Sequence, residues 1–68
     1  MLKRSVTISG HRTSVSLEEE FWQAFNEIAE RRNKPLAELV REIDRKRADR
    51  GLSSAIRIYV LNYYKAGE

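Results

Sequence analysis

Two stretches of alternating polar and apolar residues open the chain and predict two β-strands. They cover residues 4–9 and 12–17, with Gly10 between them. In the second stretch Val15 and Leu17 share one face. A lone strand cannot satisfy its ladder hydrogen bonds or bury such a face, so this strand needs a partner. In so short a chain, a second copy of the chain is the first candidate for that partner.

A helical pattern begins directly after the second strand and recurs twice. Apolar residues return every three to four positions, which predicts helices over residues 18–32, 35–48 and 53–66. The third pattern is apolar nearly all round, because Ile58 and Leu61 lie opposite its main stripe. A helix of this kind is expected to be buried on more than one face, which favours an oligomer interface.

The predicted helix starts carry capping signals. Ser16 and Glu19 stand in the S-x-x-E relation of a capping box at the start of the first helix. Pro35 suits the first position of the second helix, since its ring fixes φ at a helical value. Ser53 or Ser54 is expected to cap the third helix.

The apolar positions predict a single domain over residues 1–68 whose core is shared in a homodimer. A core of this size rarely supplies more than about 3 to 5 kcal/mol without a disulfide, a metal or oligomerisation. The chain has no cysteine and one histidine, so oligomerisation remains. The expected dimer core consists of Val15, Leu17, Phe21, Trp22, Phe25, Leu39, Val40, Ile43, Ile56 and Val60.

Basic residues are concentrated at the start of the chain. The formal net charge is +3, and Lys3, Arg4, His11 and Arg12 precede the first acidic residue, Glu18. A dimer would double this charge and bring two basic ribbons together, as expected of a protein that binds a polyanion. Ordinary solubility charge explains the net charge alone equally well.

The sequence offers no catalytic or metal-binding constellation. His11 is the single histidine, and there is no cysteine and no glycine-rich phosphate loop. Glu18, Glu19 and Glu20 are consecutive on a helix and point in different directions, which indicates a solvated helix start. We therefore expect no enzyme, no metal, no cofactor and no small-molecule substrate.

We expect neither a signal peptide nor an internal repeat in this chain. The polar residues that follow its first four positions interrupt any apolar run, and no stretch approaches the roughly 18 apolar residues of a membrane span. A cytoplasmic protein without membrane contact is the expectation.

Several phrases of the sequence resemble the ribbon-helix-helix family of dimeric bacterial DNA-binding proteins. The strand, the first helix, the turn at residues 33–35 and the helix opening P-L-A-E-L-V carry this resemblance over about residues 11–48. The runs K-R-S-V-T-I, H-R-T-S-V-S-L and L-S-S-A-I-R resemble a short bacterial branch of the family over nearly the whole chain. The resemblance implies a mainly α fold with a short β-ribbon, formed by N-terminal strands followed by three helices.

The same resemblance implies a homodimeric transcriptional regulator whose partner is double-stranded DNA. In the family, strands from two subunits pair antiparallel into a ribbon that enters the major groove. The implied base contacts are Arg12, Ser14 and Ser16. The implied phosphate contacts are Lys34, Leu36 and Ala37 at a helix start, together with Lys3, Arg4 and His11.

Two questions stay open at the level of sequence. The stretch 4–9 either folds back as a hairpin across residues 9–11 or forms a mobile basic arm, and a fold-back over the exposed face of the ribbon would block groove entry. The alternative function is a protein-interaction module, such as an antitoxin-like or adaptor dimer, that uses Tyr59, Tyr63 and Tyr64. A membrane-surface helix is disfavoured, because acids interleave with the basic residues of the second helix.

Overall fold

The structure is a computed structural model that describes residues 1–67 of the chain. Its elements are β1 (Leu2–Ile8), β2 (His11–Leu17), α1 (Glu19–Arg32), α2 (Leu36–Lys46) and α3 (Leu52–Ala66). Every boundary lies within two residues of the range that the hydrophobic pattern predicts. The expected order, N-terminal strands followed by three helices in a mainly helical chain, is confirmed.

β1 and β2 form an antiparallel hairpin within one chain. Their register is continuous and pairs Ser5 with Ser14 at its centre. The turn residues Ser9 and Gly10 have φ values of 50° and 82°, and positive φ at both central residues is what a type I′ hairpin turn requires. The N-terminal stretch is therefore a hairpin strand and not an arm, and β2 finds its first partner in its own chain rather than in a second copy.

The apolar face of the hairpin packs on the three helices and closes a core inside one chain. Val15 and Leu17 are fully buried on this face. The helices contribute Trp22, Phe25, Ile28, Ala29, Leu39, Val40, Ile43, Ala55, Ile56 and Val60. Of the residues expected in a shared dimer core, all are buried within the single chain except Phe21, which is half-buried. These residues therefore form a core within one chain, and their place in a dimer core stays a prediction.

The two predicted serine caps are wrong. The residue before α1 is Glu18, which makes no side-chain capping bond, because the strand continues through Ser16 and keeps its side chain away from the helix amides. Gly51 precedes α3, again without a side-chain cap. Ser53 Oγ instead accepts a hydrogen bond from the Ser16 amide at 3.3 Å. This serine therefore joins α3 to the free edge of β2.

A Schellman motif ends α1 and sets the path into α2. Asn33 has a φ of 59°, and its amide donates to the Glu30 carbonyl at 3.1 Å. The Lys34 amide donates to the Ala29 carbonyl at 3.0 Å, which completes the motif. Pro35 has an extended ψ of 147° and lies at the N-cap of α2. The prediction that it is the first helical residue is therefore wrong by one position.

Candidate nucleic-acid interface

The hairpin face that points away from the helices carries only polar side chains. Alternation along each strand places these residues opposite the buried Val15 and Leu17. They form three cross-strand pairs, Lys3 with Ser16, Ser5 with Ser14, and Thr7 with Arg12. The predicted base contacts on β2 thus lie together on this face, which we call the outward face. β1 lies beside β2 in the sheet and leaves the outward face uncovered.

The expected phosphate contacts of the hairpin do not share one face. Lys3 lies on the outward face, opposite Ser16. Arg4 and His11 lie on the side of the helices, where both remain exposed at the rim. The Arg4 guanidinium is 5.2 Å from the ring centroid of Trp22, a distance at which a cation is attracted to the ring face. Arg4 therefore supports the hairpin, and Lys3 is the cation that joins the outward face.

Contacts from α1 and α3 hold the two strands of the hairpin in place. Trp22 Nε1 of α1 donates to the Leu2 carbonyl of β1 at 3.0 Å. The Ser16 amide of β2 donates to Ser53 Oγ of α3. Each contact satisfies a polar group in a partly buried position. Loss of either contact would therefore lower the stability of the fold. The outward face is thus presented on a rigid support rather than on a loose arm.

An ion pair fixes the junction between β2 and α1. Arg57 Nε of α3 donates to Glu18 Oε1 at 2.9 Å. A hydrogen bond with its own backbone amide, followed by the bond from Arg57, lowers the pKa of Glu18. The carboxylate is therefore charged at neutral pH and lies at the positive end of α1, where the helix dipole favours it.

Lys34, which the resemblance assigns to phosphate, is paired within its own chain. Its Nζ donates to Glu42 Oε2 at 2.6 Å, and Arg32 Nη1 lies 3.5 Å from the other carboxylate oxygen. The hydrogen bond from Lys34 is the main cause that lowers the pKa of Glu42. The charge of Lys34 is therefore partly compensated by Glu42, and a phosphate would compete with that carboxylate.

The first turn of α2 contains both bonded and free backbone amides. The amides of Glu38 and Leu39 donate to the Pro35 carbonyl at 3.0 and 3.3 Å. Leu36 and Ala37 hold the first two helical positions, whose amides have no carbonyl one turn earlier to accept them. Because Pro35 precedes them, its missing N–H removes no donor from this turn. The amides of Leu36 and Ala37 therefore have no intrahelical acceptor, and their contact with a phosphate stays a prediction.

The tyrosines of α3 are used inside the chain. Arg32 Nη1 donates to the hydroxyl oxygen of Tyr59 at 2.7 Å, and the Tyr59 ring packs edge-on against Phe25 with centroids 6.3 Å apart. Tyr63 and Tyr64 pack edge-on against each other at 5.4 Å. All three are half-buried. They therefore contribute to the packing around α3, and their use in a contact with another protein stays a prediction.

Two residues of the outward face, Ser5 and Thr7, were not among the predicted contacts. The alternation of β1 had already placed both on its polar side. What the sequence did not reveal is the register, which sets Ser5 beside Ser14 and Thr7 beside Arg12. The outward face therefore belongs to two strands of one chain and not to β2 alone.

Within residues 1–67, no three His, Cys, Asp or Glu side chains gather into a group that could hold a metal ion. None of the helices described there combines the length and the apolar character needed to cross a membrane.

Comparison with known proteins identifies the domain. No curated protein and no solved structure gives a significant match to the chain. The family model of the ribbon-helix-helix domain matches residues 1–64, nearly the whole chain. This agrees with the observed ribbon followed by helices. The chain therefore belongs to the ribbon-helix-helix domain family.

Proposed function

We propose that this protein is a DNA-binding transcriptional regulator that acts as a homodimer and inserts its antiparallel β-ribbon into the major groove. The observation that carries the proposal is the uncovered polar face of that ribbon, with Arg12, Ser14 and Ser16 side by side. A major groove about 12 Å wide admits a two-stranded ribbon. Ribbon-helix-helix domains generally bind DNA in transcription regulators, which supports the same assignment.

The side chains of β2 suit base edges in different ways. Arg12 can donate two parallel hydrogen bonds to O6 and N7 of one guanine, the commonest specific contact in the major groove. Ser14 and Ser16 can donate or accept and discriminate little between bases. Arg12 is therefore the main source of base preference on this strand.

The charge distribution supports contact with the DNA backbone. Residues 1–17 contain no acidic side chain, so the whole hairpin can approach phosphates without repulsion. The amides of Leu36 and Ala37 at the start of α2 add donors for one phosphate. A regulator of this kind acts where the DNA is, which for a bacterial protein is the cytoplasm.

Two variants with opposite expected effects test the contact between the start of α2 and the DNA backbone. Lys34→Ala should weaken binding to all duplex sequences alike and reduce the slope of log affinity against log salt by about one unit. Glu42→Gln should strengthen binding and steepen the slope, because it removes the carboxylate that holds Lys34 at 2.6 Å. Fluorescence anisotropy with labelled random duplex at several salt concentrations measures both. Unchanged slopes in both variants would contradict a role of the α2 start in binding phosphate.

The proposed dimer contact lies on the helices. The core is already closed in one chain, and among residues 1–67 the large apolar side chain that stays exposed on a helix is Leu61, at 55%. Ile58, half-buried, lies one turn earlier on the same side of α3. A second copy packed against these two side chains would bury the apolar side of α3 that a single chain leaves exposed.

Sedimentation equilibrium tests this contact. We expect the wild-type protein to be a dimer and Leu61→Lys to shift it to monomer, since a charge would have to be buried without a partner. Gln23→Lys, which adds the same charge at an exposed position of α1, is the matched control and should stay dimeric. A wild-type protein that is monomeric and still unfolds cooperatively would contradict the dimer.

A further inference from the structure

The edge of β2 that faces away from β1 is suited to pairing with a further strand. The Ser16 amide at this edge donates to Ser53 of α3 and not to β1, so Ser16 belongs to a cross-strand pair without ladder bonds. Such pairs alternate with hydrogen-bonded pairs along an antiparallel ladder. Ser14 and Arg12, which follow the same alternation, therefore also direct their amides and carbonyls away from β1. A row of such backbone groups is a template for another strand.

A second copy of the chain fits this edge of β2. Two β2 strands related by a two-fold axis would run antiparallel, and each would offer the other the same donors and acceptors. α3 begins beside this edge, where Ser53 meets Ser16. A copy that pairs there would therefore also lie next to α3, which carries the proposed helix contact. Because β1 pairs with the other edge of β2, the sheet of the homodimer would have four strands, with β2 of each copy at the centre and β1 outside.

The width of such a sheet gives its inner and outer strands different positions on DNA. Neighbouring strands are about 4.8 Å apart, so the two central β2 strands fit a major groove about 12 Å wide. The axes of the two outer β1 strands would lie about 14 Å apart, which exceeds the width of the groove. Each β1 strand would therefore lie over a wall of the groove, where the sugar-phosphate backbone runs, and not over the base edges.

The outward face of β1 has the chemistry that contact with a groove wall requires. It carries Lys3, Ser5 and Thr7, which are all exposed. A lysine ammonium binds phosphate as a point charge, and serine and threonine hydroxyls commonly donate to phosphate oxygens. We propose that these three side chains bind the backbones of the two groove walls while β2 contacts the bases. This inference rests on the proposed DNA-binding function. It makes β1 a strand that positions the ribbon in the groove without reading sequence.

The same substitution at two paired serines tests this inference. Ser5 and Ser14 lie opposite each other on the outward face and are both exposed, so a lysine at either position leaves the core unchanged. Ser5→Lys should strengthen binding to all duplexes alike and steepen the slope of log affinity against log salt by about one unit for each copy. Ser14→Lys should instead change base preference, because an ammonium at this position can reach guanine O6 and N7. Anisotropy titrations of a selected duplex and its single-base-pair variants, at several salt concentrations, measure both quantities.

Lys3→Ala provides a second test with the opposite sign. It should weaken binding to all duplexes alike and make the salt slope shallower by about one unit for each copy, and circular dichroism melting checks that the variants keep the fold. The inference is overturned if Ser5→Lys shifts base preference as Ser14→Lys does, because β1 would then lie inside the groove. It is also overturned if Ser5→Lys and Lys3→Ala both leave the slope unchanged, because β1 would then not meet DNA. Both results leave base reading by β2 standing, whereas no change of base preference in Ser14→Lys and Arg12→Ala would overturn that reading and this inference with it.

Discussion

Trp22→Ala is expected to leave most of the protein unfolded at room temperature. The Trp22 side chain is 1% exposed, and its Nε1 donates to the Leu2 carbonyl at 3.0 Å. Truncation of a buried tryptophan costs about 3 to 5 kcal/mol, which is close to the whole stability that a core of this size supplies. Far-UV circular dichroism during urea titration measures the loss. Circular dichroism is used because Trp22→Ala removes the single tryptophan of the chain, so tryptophan fluorescence cannot follow unfolding of the variant.

The control variant Trp22→Phe separates the ring from its hydrogen bond. It keeps an aromatic side chain in the core but cannot donate to Leu2, so we expect a smaller loss and a folded protein. A Trp22→Ala protein that unfolds at nearly the wild-type urea concentration would contradict the account, because it would mean that α1 does not hold β1.

Arg12→Ala is expected to produce the largest loss of base preference among variants that keep the fold. Arg12 is exposed on the outward face. Its replacement should therefore leave the packing of the core and the stability of the fold unchanged. A bidentate arginine contact to guanine is worth about 1 to 3 kcal/mol of discrimination, which corresponds to roughly 5- to 150-fold in relative affinity. Competition of a selected duplex against the same duplex changed at one base pair measures this ratio.

Arg12→Lys is the matched control for charge. It keeps the positive charge and so should keep the salt dependence of binding, but it lacks the planar fork and should lose much of the guanine preference. If Arg12→Ala weakens selected and random duplexes equally, Arg12 is a phosphate contact and not a base contact. The outward face would then bind DNA without reading it through this residue.

The sequence predicted the elements well, because its alternation and helical periodicity are strong. Val15 and Leu17 identified the buried face of β2, and the apolar stripes identified the buried faces of the helices. The two wrong serine caps concern local choices between competing hydrogen bonds. Ser16 and Ser53 were each predicted to cap a nearby helix, but the Ser53 hydroxyl oxygen instead accepts from the backbone amide of Ser16, 37 residues away. Short-range rules do not include such a distant partner.

The candidate site was less predictable than the fold. The faces of Arg12, Ser14 and Ser16 follow from alternation alone, whereas the neighbours of these residues depend on which strand pairs with β2. The sequence allowed a second copy, a hairpin or an arm. The turn at Ser9 and Gly10, both with positive φ, decides for the hairpin and adds β1 to the site. The pairing of Lys34 with Glu42 likewise depends on tertiary geometry.

Selection of binding sites from random duplex DNA by the purified protein, at near-physiological salt, tests the central claim most directly. The account predicts enrichment of a two-fold symmetric motif, because the two copies in a homodimer would present the same Arg12, Ser14 and Ser16 face about a two-fold axis. Retention of DNA without enrichment would mean binding driven by phosphate alone. That result, or no retention at all, would contradict the claim that this ribbon reads base sequence.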